Sequence, residues 1–122
     1  MPGISSVAVG IIGTGGMGTR HAVNLHAHIA GAHVAAVYDC DAPRARQAAA
    51  QCGSPLVLDD PLALIHDARV DAVLLASPDA THAAFVHECL RCQKPVLCEK
   101  PLATSLTDAI DLVAAEDAVG RQ

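Results

Sequence analysis

The feature that most constrains this chain is a glycine-rich stretch near its start, residues 7–18, which reads VAVGIIGTGGMG. A short apolar run with β-branched residues predicts a strand, and the glycines that follow predict a tight turn. Apolar residues at helical spacing come next: Met17, Ala22, Leu25 and Ile29. A strand, a glycine turn and a helix in this order is the arrangement that binds dinucleotides, because unpaired N–H groups at the start of the helix hold the pyrophosphate.

Each glycine of this motif has its own task. We expect Gly13 to make the tight turn, Gly15 to let the backbone touch the pyrophosphate, and Gly18 to let the helix pack closely on the strand. A bare G-x-G-x-x-G is common in turns that bind nothing, so the prediction depends on the flanking strand and helix. The residues predicted to contact the cofactor here are Gly13, Thr14, Gly15, Gly16, Met17 and Gly18.

A second apolar run, residues 32–38, leads into Asp39, which stands 21 positions after Gly18. A carboxylate at this point accepts hydrogen bonds from the adenosine ribose hydroxyls. Because Asp41 is close and no arginine directly follows Asp39, a 2′-phosphate would be repelled, and NAD is predicted rather than NADP. The alternative for Asp39 is an ordinary strand-end or helix-capping carboxylate, although Asp41, before Pro43, suits the capping role better.

The rest of the chain repeats the alternation of strand and helix. Strands are predicted at residues 55–58, 70–76 and 96–98, and helices at 43–51, 61 to about 67, 81 to about 91, and from Ser105 onward. We expect an apolar face on this fifth helix from Leu106, Ala109, Ile110 and Val113. The pattern indicates a doubly wound parallel α/β sheet of the Rossmann type, in strand order 3-2-1-4-5, with residues 1–122 as one dinucleotide-binding domain.

Composition excludes several classes of function. The net charge is -5 and basic residues are scattered, so nothing predicts nucleic-acid binding. No apolar run is long enough to span a membrane and the first residues do not resemble a signal peptide, which predicts a soluble cytoplasmic protein. Five cysteines, an odd number, favour reduced thiols. Cys89 and Cys92 could form a redox pair or half a zinc site, but two small apolar residues on one helix explain them better, and no metal site is predicted.

Two further segments follow predicted strands and should face the same ligand, because ligands of open parallel sheets bind at the carboxyl ends of the strands. In the first, Ser77 and Pro78 are expected to contact the cofactor, and His82 either faces the ligand or is a polar neighbour of the helix start. In the second, Glu99-Lys100-Pro101 places charges at the end of an apolar strand, which makes Lys100 a functional candidate. The alternative is a surface lysine that closes the strand.

Taken together, these segments resemble the amino-terminal half of the glucose-fructose oxidoreductase, inositol dehydrogenase and rhizopine catabolism family (Gfo/Idh/MocA). The resemblance rests on the glycine turn, Asp39, the segment ASPDATH that ends at His82, and above all KPVLCEKPLA at residues 94–103. Within the family, residues 94–119 resemble the inositol 2-dehydrogenases most.

The resemblance implies an NAD-dependent dehydrogenase that oxidises a secondary alcohol of a cyclitol or sugar. Lys100 would lie beside the reacting hydroxyl, Glu99 would contact the cofactor ribose or orient the lysine, and a cis bond would precede Pro101. It implies a small polyol or sugar as substrate, no nucleic acid, no membrane and a homo-oligomeric full-length form.

Family members are more than twice as long as this chain. Their second domain supplies the substrate pocket and an Asp and a His that act as base. We therefore expect a chain truncated before a sixth strand and before the α+β substrate domain, able to hold NAD but inactive alone. The alternatives are a non-catalytic NAD-binding module and a fragment without ligand.

Overall fold

A computed structural model of the chain describes residues 5–120. Strands alternate with helices along its whole length. The elements are β1 (Val7–Ile12), α1 (Gly16–His28), β2 (Ala32–Tyr38), α2 (Ala42–Gln51), β3 (Leu56–Val57), α3 (Pro61–His66), β4 (Ala72–Leu75), a single 3-10 turn (Asp79–Thr81), α4 (His82–Arg91), β5 (Val96–Cys98) and α5 (Leu106–Val119). The prediction that the first residues are not a signal peptide concerns residues 1–4 in part, and the expected sixth strand would follow residue 122, so both lie outside the described residues.

The five strands form one parallel sheet in the order β3-β2-β1-β4-β5, which confirms the predicted fold class and strand order. Helices cover both faces, so neighbouring residues in the central strands belong to different cores. Ile12 and Leu75 pack with α3 and α4 residues on one face, whereas Ile11 and Leu74 pack with residues of α1 and α2 on the other. Side chains alternate across a strand, and this alternation explains why β1 and β4 are apolar at nearly every position.

Helix starts follow the capping chemistry that the sequence predicts. The Asp41 carboxylate accepts a hydrogen bond from the Arg44 backbone N–H (3.2 Å) at the start of α2. Ser105 accepts one from the Asp108 N–H (3.1 Å) at the start of α5. Each side chain satisfies a donor that the first helical turn leaves without a partner inside the helix.

Several predicted boundaries are wrong by one or two residues. β3 is confined to Leu56–Val57 and β4 to Ala72–Leu75, and the fourth helix begins at His82 because Thr81 belongs to the 3-10 turn. The short β3 lies at one edge of the sheet, where only a single neighbouring strand pairs with it.

The apolar face predicted for α5 points away from the core. Leu106, Ile110 and Val113 are 76%, 57% and 54% exposed, whereas Leu112 is buried in the core that also contains Leu90 of α4. The helix is apolar on both sides, so its sequence alone does not indicate which stripe packs inward. Contact with α4 decides for the stripe that contains Leu112.

Cys89 lies in the core and is fully buried, as predicted for a small apolar residue, and burial raises the pKa of its thiol to about 12. Among the described residues, no helix combines the length and the apolar character needed to span a bilayer.

Candidate functional site

Four loops meet at the carboxyl ends of the strands, which lie side by side because the strands are parallel. The loops follow β1, β2, β4 and β5, and the predicted site residues lie in these loops and in the first turns of α1 and α4. The site is therefore built from segments that the strands bring side by side.

The turn after β1 needs glycine at two positions for steric reasons. Gly13 has a φ of +97°, and a Cβ there would stand 2.5 Å from the backbone of Ala76 and Ser77. A Cβ on Gly18 would collide with the carbonyl oxygen of Gly13. These glycines allow α1 to pack against the turn, and the turn to pack against the end of β4.

The start of α1 is open. Gly15 is the N-cap and has no side chain to cap the helix, and the first turn contains no acidic residue. A Cβ on Gly15 or Gly16 would meet no atom within 4 Å. No side chain caps the N–H groups of the first turn, which lie at the positive end of the helix dipole, and this arrangement fits a pyrophosphate.

Asp39 is buried beside this turn with both carboxylate oxygens engaged. Its Oδ2 accepts hydrogen bonds from the Thr14 N–H (2.7 Å) and the Thr14 hydroxyl (3.0 Å), and its Oδ1 accepts one from the Asp41 N–H (2.8 Å). Burial acts to raise the pKa of Asp39, but these hydrogen bonds and the nearby Arg44 outweigh burial and lower the pKa below its ordinary value. The carboxylate is therefore a fixed negative charge that ties the β1 and β2 loops together.

An arginine lies next to this carboxylate in space. The Arg44 guanidinium reaches from α2 to within 4.0 Å of the Asp39 carboxylate and 3.8 Å of the Asp41 carboxylate. No arginine directly follows Asp39 in the sequence, but the first turn of α2 brings the Arg44 guanidinium close to the Asp39 carboxylate in space.

A cleft opens between the loops after β2 and β4. Among the residues that line it are Gly13, Tyr38, Asp39, Ser77, Pro78 and Phe85. Its walls are mainly apolar, with carboxylate and hydroxyl groups at the margin, so it suits a flat heteroaromatic group that carries hydroxyls on one side.

The loop after β5 carries the charged residues. The Glu99 carboxylate lies 3.3 Å from Nε2 of His21, which belongs to α1. Lys100 is exposed at this edge, and the Lys100–Pro101 peptide bond is cis, which confirms the bond geometry that the resemblance implies. Glu99 thus lies against α1, and Lys100 follows it in the loop after β5.

His82 is placed differently from a ligand-facing residue. It is 1% exposed, and its two ring nitrogens contact the carbonyl oxygens of Ser77 and Pro101. The ring lies between the loops after β4 and β5, and no ring nitrogen is left for a ligand in this conformation.

The chain matches the sequence profile of an oxidoreductase family, Gfo/Idh/MocA, described by its NAD-binding Rossmann fold, over residues 7–122. The chain belongs to this family. The family assignment and the Rossmann-type fold predicted from the sequence are confirmed.

The chain is also similar to individual proteins and solved structures. An inositol 2-dehydrogenase from Rubrobacter xylanophilus is 52% identical over 116 residues, which cover 95% of this chain and 33% of that protein. The structure of myo-inositol dehydrogenase from Lactobacillus casei, in complex with NAD(H) and myo-inositol, has a TM-score of 0.89 at 38% identity and covers 93% of this chain and 34% of that chain.

A 3-ketoreductase from Actinomadura kijaniata, in complex with NADP and TDP-benzene, has a TM-score of 0.85 at 28% identity and covers 96% of this chain and 36% of that chain. The chain thus spans about a third of the length of the relatives that it matches. Similar structures hold NAD(H) in one case and NADP in another, so similarity alone does not choose between the two cofactors.

The structure brings most of the predicted residues of this Gfo/Idh/MocA chain to one edge, and their contact with a cofactor stays a prediction. Residues of the site that were not predicted include His21, Arg44, Tyr38 and Phe85. Arg44 stands three positions after the N-cap Asp41, a spacing at which helical neighbours interact, so this pair could have been found in the sequence. No local signal links His21 to Glu99, because 78 positions separate them. Among residues 5–120, no group of three or more His, Cys, Asp or Glu side chains could hold a metal ion.

Proposed function

We propose that this chain is the NAD-binding part of a dehydrogenase that oxidises a secondary alcohol of a cyclitol or related sugar. The observation that carries the proposal is the open start of α1 at Gly15 and Gly16, flanked by the buried carboxylate of Asp39. The first-turn N–H groups would hold the pyrophosphate, and the apolar cleft beside Ser77 and Phe85 would hold the adenine.

We infer that the cofactor is NAD rather than NADP. Asp39 and Asp41 place two carboxylates where the adenosine ribose would lie, and a 2′-phosphate there would meet their negative charges. Arg44 is close enough to interact with both carboxylates, so its positive charge is already partly neutralised by them. A fluorescence titration with NADH and NADPH tests this preference. Replacing Asp39 by Ser should reduce the ratio of the two affinities, and an unchanged ratio would contradict the inference.

Lys100 is the proposed catalytic residue. The bound dinucleotide supplies the hydride acceptor at its nicotinamide ring. The Lys100 ammonium, exposed at the carboxyl end of β5, would donate a hydrogen bond to the alcohol oxygen and stabilise the negative charge that grows there as the proton leaves. Glu99, in contact with His21, would contact the cofactor ribose or orient the lysine.

Cofactor binding is tested at the most open position of the turn. Replacing Gly15 by Ala adds a methyl group where no protein atom lies within 4 Å, so it fills the space of the ligand without straining the fold. We expect the affinity for NADH to fall at least tenfold while the melting temperature stays within about 2 °C of wild type. Ala27→Leu, at the exposed far end of α1 and roughly 17 Å along the helix, is the control. Unchanged NADH binding in the Gly15 variant would contradict the proposed site.

The names of the relatives support the proposed substrate class. Its test uses this chain joined to a second domain that can bind the substrate. We propose to join this chain to the remaining two-thirds of the Rubrobacter enzyme, whose matching segment is 52% identical. The chimaera should reduce NAD in the presence of myo-inositol, and Lys100→Ala should lower kcat more than it lowers affinity for NAD. Lys94→Ala is the matched control, since the Lys94 ammonium donates to the Asp67 carbonyl (2.9 Å) rather than facing the site. Equal losses in kcat and cofactor affinity for Lys100→Ala would mean that the lysine only holds the dinucleotide.

We also infer a reducing, cytoplasmic location. All five cysteines are free in the structure, and their thiols persist where glutathione and thioredoxin keep proteins reduced. Thiol titration of the protein isolated from its native host, with thiol exchange blocked at lysis, should find five free groups, whereas disulfide-linked cysteines would contradict the location.

A further inference from the structure

His82 occupies a buried position between two loops of the candidate site. Its Nδ1 lies 2.6 Å from the carbonyl oxygen of Pro101, and its Nε2 lies 2.8 Å from the carbonyl oxygen of Ser77. A carbonyl oxygen only accepts hydrogen bonds, so the ring is the donor on whichever side a hydrogen bond forms. A neutral ring donates to one of the two carbonyls, and a doubly protonated ring donates to both.

The loop on the Ser77 side is firmly attached to the start of α4. The Thr81 hydroxyl donates to the carbonyl oxygen of Pro78 (2.6 Å), so the Ser77 hydroxyl is the donor in its own 2.6 Å contact with the Thr81 oxygen. The Thr81 N–H also donates to the Pro78 carbonyl (2.9 Å). His82, the next residue, therefore extends from a well-connected loop.

The segment on the Pro101 side has no regular secondary structure between β5 and α5, and it carries Lys100. An exposed lysine on an irregular segment takes its direction from whatever fixes the neighbouring backbone. The contact between the buried His82 ring and the carbonyl oxygen of Pro101 anchors that backbone one residue from Lys100.

We propose that His82 is a positioning residue, whose ring joins the loops after β4 and β5 and so sets the direction of Lys100. Its role for the reaction rests on the proposed function of Lys100. The joining of the two loops does not depend on that function, because it is a contact within the folded chain.

The lysine content of the chain makes this testable. Lys94 and Lys100 are the only lysines in the sequence, so protein labelled with 13C-lysine gives two side-chain signals. In His82→Leu we expect the Lys100 signal to move towards that of a free lysine, and its shift on addition of NADH to fall at least twofold. His82→Gln keeps an N–H donor and should restore part of both effects. The Lys94 signal should not change in either variant.

The control is His87→Leu, a partly exposed histidine on the same helix, which should leave both lysine signals as in wild type. A folded His82→Leu variant with wild-type Lys100 signals, with and without NADH, would overturn the proposal. If that variant does not fold, the wild-type protein still decides. A histidine ring N–H that exchanges slowly with water and is absent in His82→Gln supports the junction, and the lack of such a proton refutes it.

Failure of the proposed function looks different. If NADH shifts neither lysine signal and binds neither the wild-type protein nor any variant, the proposal that this chain binds the cofactor is wrong. The position of the Lys100 signal without cofactor then still reports whether His82 directs the lysine.

Discussion

Replacing Asp39 by Asn tests whether a buried charge holds the β1 and β2 loops together. The carboxylate accepts hydrogen bonds of 2.7, 3.0 and 2.8 Å from Thr14 and Asp41. An asparagine keeps one oxygen for the two Thr14 donors, but it turns its NH2 group towards the Asp41 N–H, so two donors face each other.

The cost can be worked out from these contacts. Losing one hydrogen bond to a charged acceptor and weakening two others destabilises a protein by about 2 to 3 kcal/mol. For a domain of this size we expect the melting temperature to fall by roughly 8 to 12 °C, at about 4 °C per kcal/mol. Asp41→Asn is the matched control, because asparagine caps a helix about as well as aspartate and the Asp41 side chain is half-exposed.

The dependence on pH identifies the charge as the cause. The folded protein lowers the pKa of Asp39, so the carboxylate contributes stability that is fully present above the pKa of the unfolded chain, near 4. That contribution is lost as the pH falls through the lower, folded-state pKa. Urea unfolding of wild type and Asp39→Asn should show the full difference at pH 7 and a shrinking one below about pH 4. A difference that stays constant down to pH 3 would refute the reasoning.

Three further predictions use the same fold. Gly18→Ala should lower the free energy of unfolding by about 3 kcal/mol or more, because its Cβ would collide with the carbonyl oxygen of Gly13; a wild-type urea midpoint would contradict this. Arg44→Ala should raise the preference for NADH over NADPH at least threefold in a fluorescence titration, since it removes the cation that could accept a 2′-phosphate. Iodoacetamide should modify the exposed Cys40 before the buried Cys89, whose pKa is raised to about 12, and NADH should slow the reaction at Cys40, which lines the cleft; mass spectrometry measures both rates.

Local patterns predicted most of this fold. Each apolar strand and each capped helix has a characteristic pattern within a short run of residues, and that pattern indicates its secondary structure. The strand order followed because short right-handed connections leave few ways to wind five such units. The boundaries of β3 and β4 were less well predicted, since strand pairing decides where a strand ends and an edge strand has one partner.

Some features of the candidate site could likewise be predicted from local sequence, and others could not. The glycine turn and Asp39 could be found in the sequence because steric limits at Gly13 and Gly18 and the spacing to the second strand are properties of one strand-helix-strand unit. The sequence singled out His82 but left open whether it faces a ligand. Only the fold shows that its ring lies between Ser77 and Pro101, which belong to loops after two different strands.

The sequence by itself determined the doubly wound sheet, the glycine turn and the edge at which the charged residues gather, because each depends on steric and hydrogen-bonding requirements of neighbouring residues. Only the tertiary structure decided which apolar stripe of α5 faces inward, that Arg44 returns to Asp39, and that His21 meets Glu99. These contacts join side chains from different elements, and a side chain acquires such a partner only when the sheet brings those elements together.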